Sequence, residues 1–402
     1  KKIVYKQIRY FKGLNGLRFF AAYLVLLHHA EQIRLKNDIF HLKDLPLFNN
    51  GSYAVSFFFV LSGFLISYLL LKEQVVTGTI SIQKFYMNRI LRICPLYFLL
   101  VILGTIIIPY FLNTINHSYE MPYTFKDVIL YYVFFSPFMV NILFGHHLLE
   151  PLWSIGVEEL FYIIWAPLFK FLKRYILVIT LSVITLKILL IIASDTFLFP
   201  SNLSKIIKML KFESLAIGGL TAYIIYHRKK KIEDTILFSK LIQIVIFLFL
   251  IGKFFISKFL IQSLFFFEFL YNSNIFSHMI LSCSFAWLIV NISVNRKSII
   301  SLDNRVFNFL GEISYGIYMY HMLIIFGIIV LLKDHLATMS GLSSTAFFYL
   351  LLTTGVILVS TISKRIFEDY FLRLKENFRI IQHTTKDRET YEIREINEQK
   401  GY

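Results

Sequence analysis

Apolar runs of about twenty residues recur along the whole chain, and each is long enough to cross a hydrocarbon core as a helix. Helices satisfy their own backbone hydrogen bonds in lipid, so the fold class expected is an all-α polytopic membrane protein. Composition agrees. Only 16% of the 402 residues are charged and 57% are hydrophobic, whereas soluble domains carry roughly 25% charge. The net charge of +16 would suggest nucleic acid in a soluble chain. In a membrane protein, basic cytoplasmic loops against lipid headgroups account for it, and no nucleic-acid partner is expected. Cys94 and Cys283 have neither disulfide nor metal spacing, and no metal site is expected.

The positive-inside bias sets the course of the chain. A basic arm, Lys1–Lys12, leads into a first span at about Leu14–Ile33. That run carries Arg18 and two histidines and lacks a small-residue cleavage site, so it reads as a retained span rather than a cleaved leader. Further spans are expected near Tyr53–Leu71, Ile93–Leu112, Trp153–Phe171, Tyr175–Ser194, Ile207–Tyr226, Thr235–Phe255, Phe276–Val294, Phe307–Leu332 and Ser344–Ile366. The expectation is therefore about ten transmembrane helices with both termini cytoplasmic. An external loop is expected at Asn113–Tyr123, and the apolar stretch to Leu270 extends a span or lies at the interface. Phe125–Phe144 is apolar enough to cross, but crossing would put Lys170, Lys173, Arg174 and the basic cluster at His227–Lys231 outside. With Pro137 in its middle, it reads as a re-entrant or interfacial segment. Residues 1–376 then form one membrane domain and 377–402 a charged cytoplasmic tail. Gly63 suggests a kink or a close helix contact, and Gly218 with Gly219 permits close packing.

Polar residues inside these runs are the candidates for chemistry. The first run reads GLNGLRFFAAYLVLLHHAE. Arg18 and His29 are eleven residues, about 16 Å, apart and project from nearly one face. Such groups in a membrane helix usually face a bundle interior or a water-filled cavity. Arg89 and Arg92, three apart in KFYMNRILRICP, share a face on the Arg18 side. Glu158 and Glu159, in EPLWSIGVEELFY, begin a helix on the His29 side. Arginines grip phosphates with a bidentate fork, a histidine takes a proton from a hydroxyl, and a buried glutamate can hold the histidine's tautomer. The division of labour is group transfer between a phosphate-bearing donor inside and a hydroxyl acceptor outside. Duller readings stay open: snorkelling for Arg18, a topology signal for Arg89 and Arg92, a satisfied structural histidine for His29. A transporter or flippase of a lipid-linked sugar, or an assembly partner whose polar residues only pack the bundle, would also fit many spans and a cavity.

Five segments in order resemble the acyltransferase 3 family of integral-membrane O-acyltransferases. GLNGLRFFAAYLVLLHH resembles the family's opening helix, with Arg18 and His29 at its arginine and histidine. SFFFVLSGFLIS resembles the second helix, and NRILRICPLYF carries the arginine pair at Arg89 and Arg92. PLWSIGVEELFYIIWAPL matches through Trp153, Ser154, Glu158, Glu159, Phe161 and Tyr162, and LGEISYGIYMYH through Ser314, Tyr315, Tyr318 and His321. Asn15, Leu160 and Glu312 depart from the usual aspartate, glutamine and basic residue. The resemblance implies transfer of an acyl group, usually acetyl, from cytoplasmic acyl-CoA to a hydroxyl of a cell-envelope glycan or its lipid-linked precursor. The setting it implies is a bacterial plasma membrane, with a separate periplasmic or glycan-assembly protein as a possible partner. No cofactor is bound permanently; acyl-CoA is the co-substrate. Arg18, Arg89 and Arg92 are expected on the donor. His29 is expected as general base or transient acyl carrier, oriented by Glu159 or Glu158. Trp153, Ser154, Tyr162, Tyr315 and His321 are expected at the substrate.

Overall fold

The computed structural model describes residues 10–114, 122–196, 198–228, 231–255 and 274–378. Residues 1–9 of the basic arm, 115–121 of the external loop, Phe197, Lys229, Lys230, the apolar stretch 256–273 and the charged tail from 379 lie outside the described residues.

Among the described residues, every regular element is helical. In chain order these are α1 (Leu14–Lys36), α2 (Gly51–Thr77), α3 (Ile82–Ile102), α4 (Ile108–Thr114), α5 (Phe125–Val133), α6 (Pro137–Phe144), α7 (Leu152–Phe171) and α8 (Ile176–Asp195). They continue with α9 (Ser201–Met209), α10 (Phe212–His227), α11 (Lys240–Phe255), α12 (Asn274–Ser293), α13 (Arg305–Glu312), α14 (Ser314–Thr338), α15 (Gly341–Ser363) and α16 (Asp369–Lys375).

The expected count of about ten spans is corrected. Among the described residues, six helices are long and apolar enough to cross a membrane: Gly51–Thr77, Ile82–Leu112, Leu152–Phe171, Lys173–Asp195, Ser314–Thr338 and Gly341–Phe378. The physical reasons differ by element. α1 is 23 residues long, but Arg18, His28, His29, Glu31, Gln32 and Arg34 dilute its apolar character. The expected span Ile207–Tyr226 breaks at Leu210–Lys211, leaving α10 with 16 residues. α11 and α12 border the stretch 256–273 outside the described residues, with 16 and 20 described residues each. With six such helices, the chain is a multi-pass membrane protein.

Phe125–Phe144 forms two helices of 9 and 8 residues, each less than half the roughly 20 residues a crossing needs. Phe135 takes a left-handed φ of 52° at the break, and Pro137 opens α6, where its missing N–H costs nothing. A Cβ on Gly156 would stand 2.7 Å from the Phe135 carbonyl oxygen, so glycine lets the break seat directly on α7.

The centre of the bundle is α2, which packs on α10, α1, α12 and α7. Gly63 and Gly218 are contact glycines rather than kinks. A Cβ on Gly63 would lie 1.9 Å from the Leu215 carbonyl oxygen, and one on Gly218 2.0 Å from that of Val60. On the other side, α1 packs on α13 and α14, and α14 on α15. A buried network fixes the rotation of α1. Arg34 Nη1 donates to Glu31 Oε1 at 2.9 Å and Nη2 to Thr345 at 2.8 Å, while Tyr349 donates to Glu31 at 2.7 Å. With the far end of α1 held on α15, the face carrying Arg18 and His29 turns toward α14, which bonds His29.

Candidate active site

A cavity of about 360 Å³ runs between α1, α2, α3, α7 and α14. Phe58 and Lys72, both on α2, line it fourteen residues apart, so it extends about 21 Å along that helix. The Lys72 end is cationic. Arg18 from α1 and Arg89 and Arg92 from α3 converge there. Arg18 Nη1 donates to Asn15 Oδ1 at 3.3 Å, and the Arg89 guanidinium lies 5.9 Å from the Tyr162 ring centroid. A second cavity of about 340 Å³ shares Asn15, Arg18, Arg92 and Tyr315 and adds Lys364, Lys375, Glu312 and Glu368. Arg18 and Arg92 therefore face both spaces.

Hydroxyls and one carboxylate line the middle. The Tyr162 hydroxyl donates to Glu158 Oε2 at 2.9 Å and lies 2.8 Å from Ser62 Oγ. The Tyr315 hydroxyl donates to the Ile93 carbonyl at 3.0 Å, beside Arg92. At the Phe58 end, the Tyr318 hydroxyl lies 2.7 Å from Ser154 Oγ and donates to the Pro151 carbonyl at 3.0 Å.

Behind Tyr318 sits a pair of imidazoles. His321 Nε2 is 3.0 Å from His29 Nδ1, and His321 Nδ1 is 2.6 Å from the Tyr318 carbonyl oxygen. A carbonyl only accepts, so in the neutral pair His321 Nδ1 carries the proton and His321 Nε2 is a bare acceptor. His29 Nδ1 then donates to it, and the lone pair of His29 sits on Nε2. His321 is fully buried and His29 partly so. Tyr318 and Phe58, with ring centroids 5.8 Å apart, close the cavity in front of the pair, and the Tyr318 ring is 5.8 Å from that of His321.

The candidates from the sequence fall into two groups. Arg18, Arg89, Arg92, Ser154, Glu158, Tyr162 and Tyr315 line one cavity. His29 and His321 meet one layer behind it. Glu159 is set apart. It is 6% exposed, and its Oε1 has no hydrogen-bond partner among the described residues. Trp153 packs edge-on against Phe59, with ring centroids 5.9 Å apart. The side chain that bonds the His29 ring is His321, with the Val25 carbonyl as a backbone partner, and no side-chain hydrogen bond from Glu158 or Glu159 to His29 is present among the described residues. Sequence reasoning gave Ser62 no role and did not pair the two histidines, which are 292 positions apart. The serine beside Gly63 in VLSGFLIS was the available signal for the first.

Fold and site together define a class: a multi-pass helical membrane protein whose arginine-lined cavity leads toward a buried imidazole pair. The chain belongs to the acyltransferase 3 family, since residues 11–365 match that family's model, described as an acyltransferase domain. It is 27% identical over 346 residues to a provisionally named O-acetyltransferase of Staphylococcus aureus strain COL, covering 80% of this chain and 52% of the relative. It is also 27% identical over 338 residues to the O-acetyltransferase OatA of Staphylococcus aureus strain NCTC 8325, covering 79% and 51%. A protein of Bacillus subtilis strain 168, provisionally named the peptidoglycan O-acetyltransferase YrhL, is 28% identical over 172 residues, covering 42% and 25%. The chain spans about half the length of the first two of these relatives. No solved structure matches.

Proposed function

We propose that this chain transfers an acyl group, most simply acetyl, from acyl-CoA to a hydroxyl of a bacterial cell-envelope glycan or its lipid-linked precursor. The single observation that carries the reading is the three-arginine end of a long cavity whose other end is closed by the tyrosine that bonds the His321–His29 pair. The family and the O-acetyltransferase names of its relatives support the reaction class. The peptidoglycan in one relative's name supports an envelope acceptor.

Arg89 and Arg92, with Arg18, hold the phosphates of coenzyme A. Lys72, Lys84, Lys364 and Lys375 belong to the same helix ends or cavities, which favours a cytoplasmic face there. The pantetheine arm runs up the cavity, and the thioester passes Tyr318 to reach His29. His29 Nε2 takes the proton of the acceptor hydroxyl. The hydroxyl oxygen attacks the thioester carbonyl, the C–O bond forms and the C–S bond breaks. The proton then passes from His29 to the leaving thiolate, giving ester and free coenzyme A. His321 holds His29 in the tautomer that keeps Nε2 bare. Glu158, fixed by Tyr162, lies in the cavity on the arginine side of Tyr318, where it can accept from the amide N–H groups of the pantetheine arm.

The experiment is a transfer assay with the purified full chain, isotope-labelled acetyl-CoA and envelope glycan. Labelled ester from wild type and none from His29→Ala supports the reading. Ester formation by His29→Ala at the wild-type rate removes His29 from the chemistry. Absence of ester with every hydroxylated acceptor, while a lipid-linked sugar crosses vesicles, favours a flippase.

A further inference from the structure

A third cavity, also polar, lies on the far side of α2, away from the imidazole pair. It encloses about 200 Å³ where the end of α8, the end of α9, the start of α10 and α12 meet. Ile188, Ile191 and Met279 make its apolar wall. Its polar members are mixed in sign. Glu213 is 3% exposed, and its Oε2 has no hydrogen-bond partner among the described residues. No salt bridge among the described residues reaches Glu213. A buried carboxylate oxygen left in that state is costly, so it marks a place where something from outside the fold donates to it. Lys211 also opens onto the space, with His278. The other nearby cations are already engaged: Lys187 donates to the Ile207 carbonyl, and Lys208 pairs with Asp195 at 2.7 Å.

The surroundings point to a lipid. Asp195 and Lys208 are part-exposed and mark a polar mouth. α8 is the least buried of the six crossing helices. Leu181, Thr185 and Leu189 line a shallow groove along its outer face, where an acyl tail can lie. A carboxylate and an ammonium that share one small cavity and feel each other's charge without closing into a salt bridge, with a tail groove on the same helix, match a headgroup that carries an amine as well as a phosphate.

We propose that this cavity binds the headgroup of an amine-bearing phospholipid, with the primary ammonium on Glu213 and the phosphate on Lys211. The site is separate from acyl transfer and stands whether or not His29 is the base.

Native mass spectrometry of the detergent-solubilised full chain tests it. The probes are dioleoyl phosphatidylethanolamine, phosphatidylglycerol and phosphatidylcholine in equal amounts. Phosphatidylcholine has a phosphate and a cation but no N–H to donate. Wild type retains phosphatidylethanolamine about tenfold over the other two, the ratio one charge-assisted hydrogen bond supplies. Glu213→Gln loses that preference, and Lys211→Gln lowers retention of all three lipids. Equal retention of the three lipids by wild type overturns the proposal, which keeps it falsifiable if a variant does not fold. So does an unchanged preference in a folded Glu213→Gln.

Discussion

Replacing His321 by alanine probes the imidazole pair without touching the group proposed to react. In the native pair, His29 Nδ1 donates to His321 Nε2 across 3.0 Å, and the Tyr318 carbonyl at 2.6 Å fixes which His321 nitrogen is bare. His321→Ala removes the imidazole that accepts from His29 Nδ1–H and leaves the Val25 carbonyl, one turn back on α1, as the remaining acceptor. Losing one such hydrogen bond costs about 0.5–1.5 kcal/mol, and the ring is freer to turn or to change tautomer. Either response takes the Nε2 lone pair away from the hydroxyl. If that cost falls on the transition state, kcat drops by roughly 3- to 10-fold. The donor is held by arginines at the other end of the cavity, so KM for acyl-CoA stays unchanged. His321→Gln offers an amide oxygen to the same proton and recovers part of the rate. The assay is steady-state ester formation from labelled acetyl-CoA over a range of donor concentrations. A variant with wild-type kcat, or a defect confined to KM for the donor, would refute the tautomer argument.

Three further outcomes follow from other parts of the molecule. Arg89→Ala and Arg92→Ala each weaken acyl-CoA binding by about tenfold or more, and Arg89→Lys restores little because a point charge lacks the fork; unchanged donor affinity by calorimetry contradicts this. Gly218→Ala pushes a methyl to 2.0 Å from the Val60 carbonyl oxygen, parts α2 from α10 and costs about 3 kcal/mol; an unchanged Tm in detergent says the contact is not tight. His147 lies in the loop between α6 and α7, where burial lowers its pKa from 6.5 to about 3. Between those values the unfolded chain takes up a proton that the folded chain refuses, so stability falls as pH drops through that window, by up to roughly 1.4 kcal/mol per pH unit. Thermal melts across the window should show a shallower decline in His147→Gln than in wild type, and parallel curves would refute it.

What the sequence makes legible here is what a single helix encodes. Arg18 and His29 share a face because eleven residues is near three turns, and Arg89 with Arg92 because three is near one. The break in Phe125–Phe144 announces itself through Pro137, which opens α6. The count of crossing helices is not legible, because a hydropathy window averages over the break at Leu210–Lys211. Adjacent glutamates point to different sides of a helix, and sequence gives no reason to prefer one. Glu158 lines the cavity, while Glu159 is buried away from it. The partner of His29 is illegible for another reason. His321 lies 292 positions away, and only the packing of α14 on α1 brings the two rings together. The cavity at Lys211, Glu213 and His278 is of the same kind, assembled from helices that show no shared motif.

A density map of the full chain with a non-hydrolysable acyl-CoA thioether tests the central claim most directly. The account predicts coenzyme A phosphates on Arg89 and Arg92, Tyr318 displaced, and the acyl carbon within about 3.5 Å of the space where a hydroxyl can bond His29 Nε2. An acyl end halted short of Tyr318, or His29 facing lipid with no path to the arginines, would contradict it.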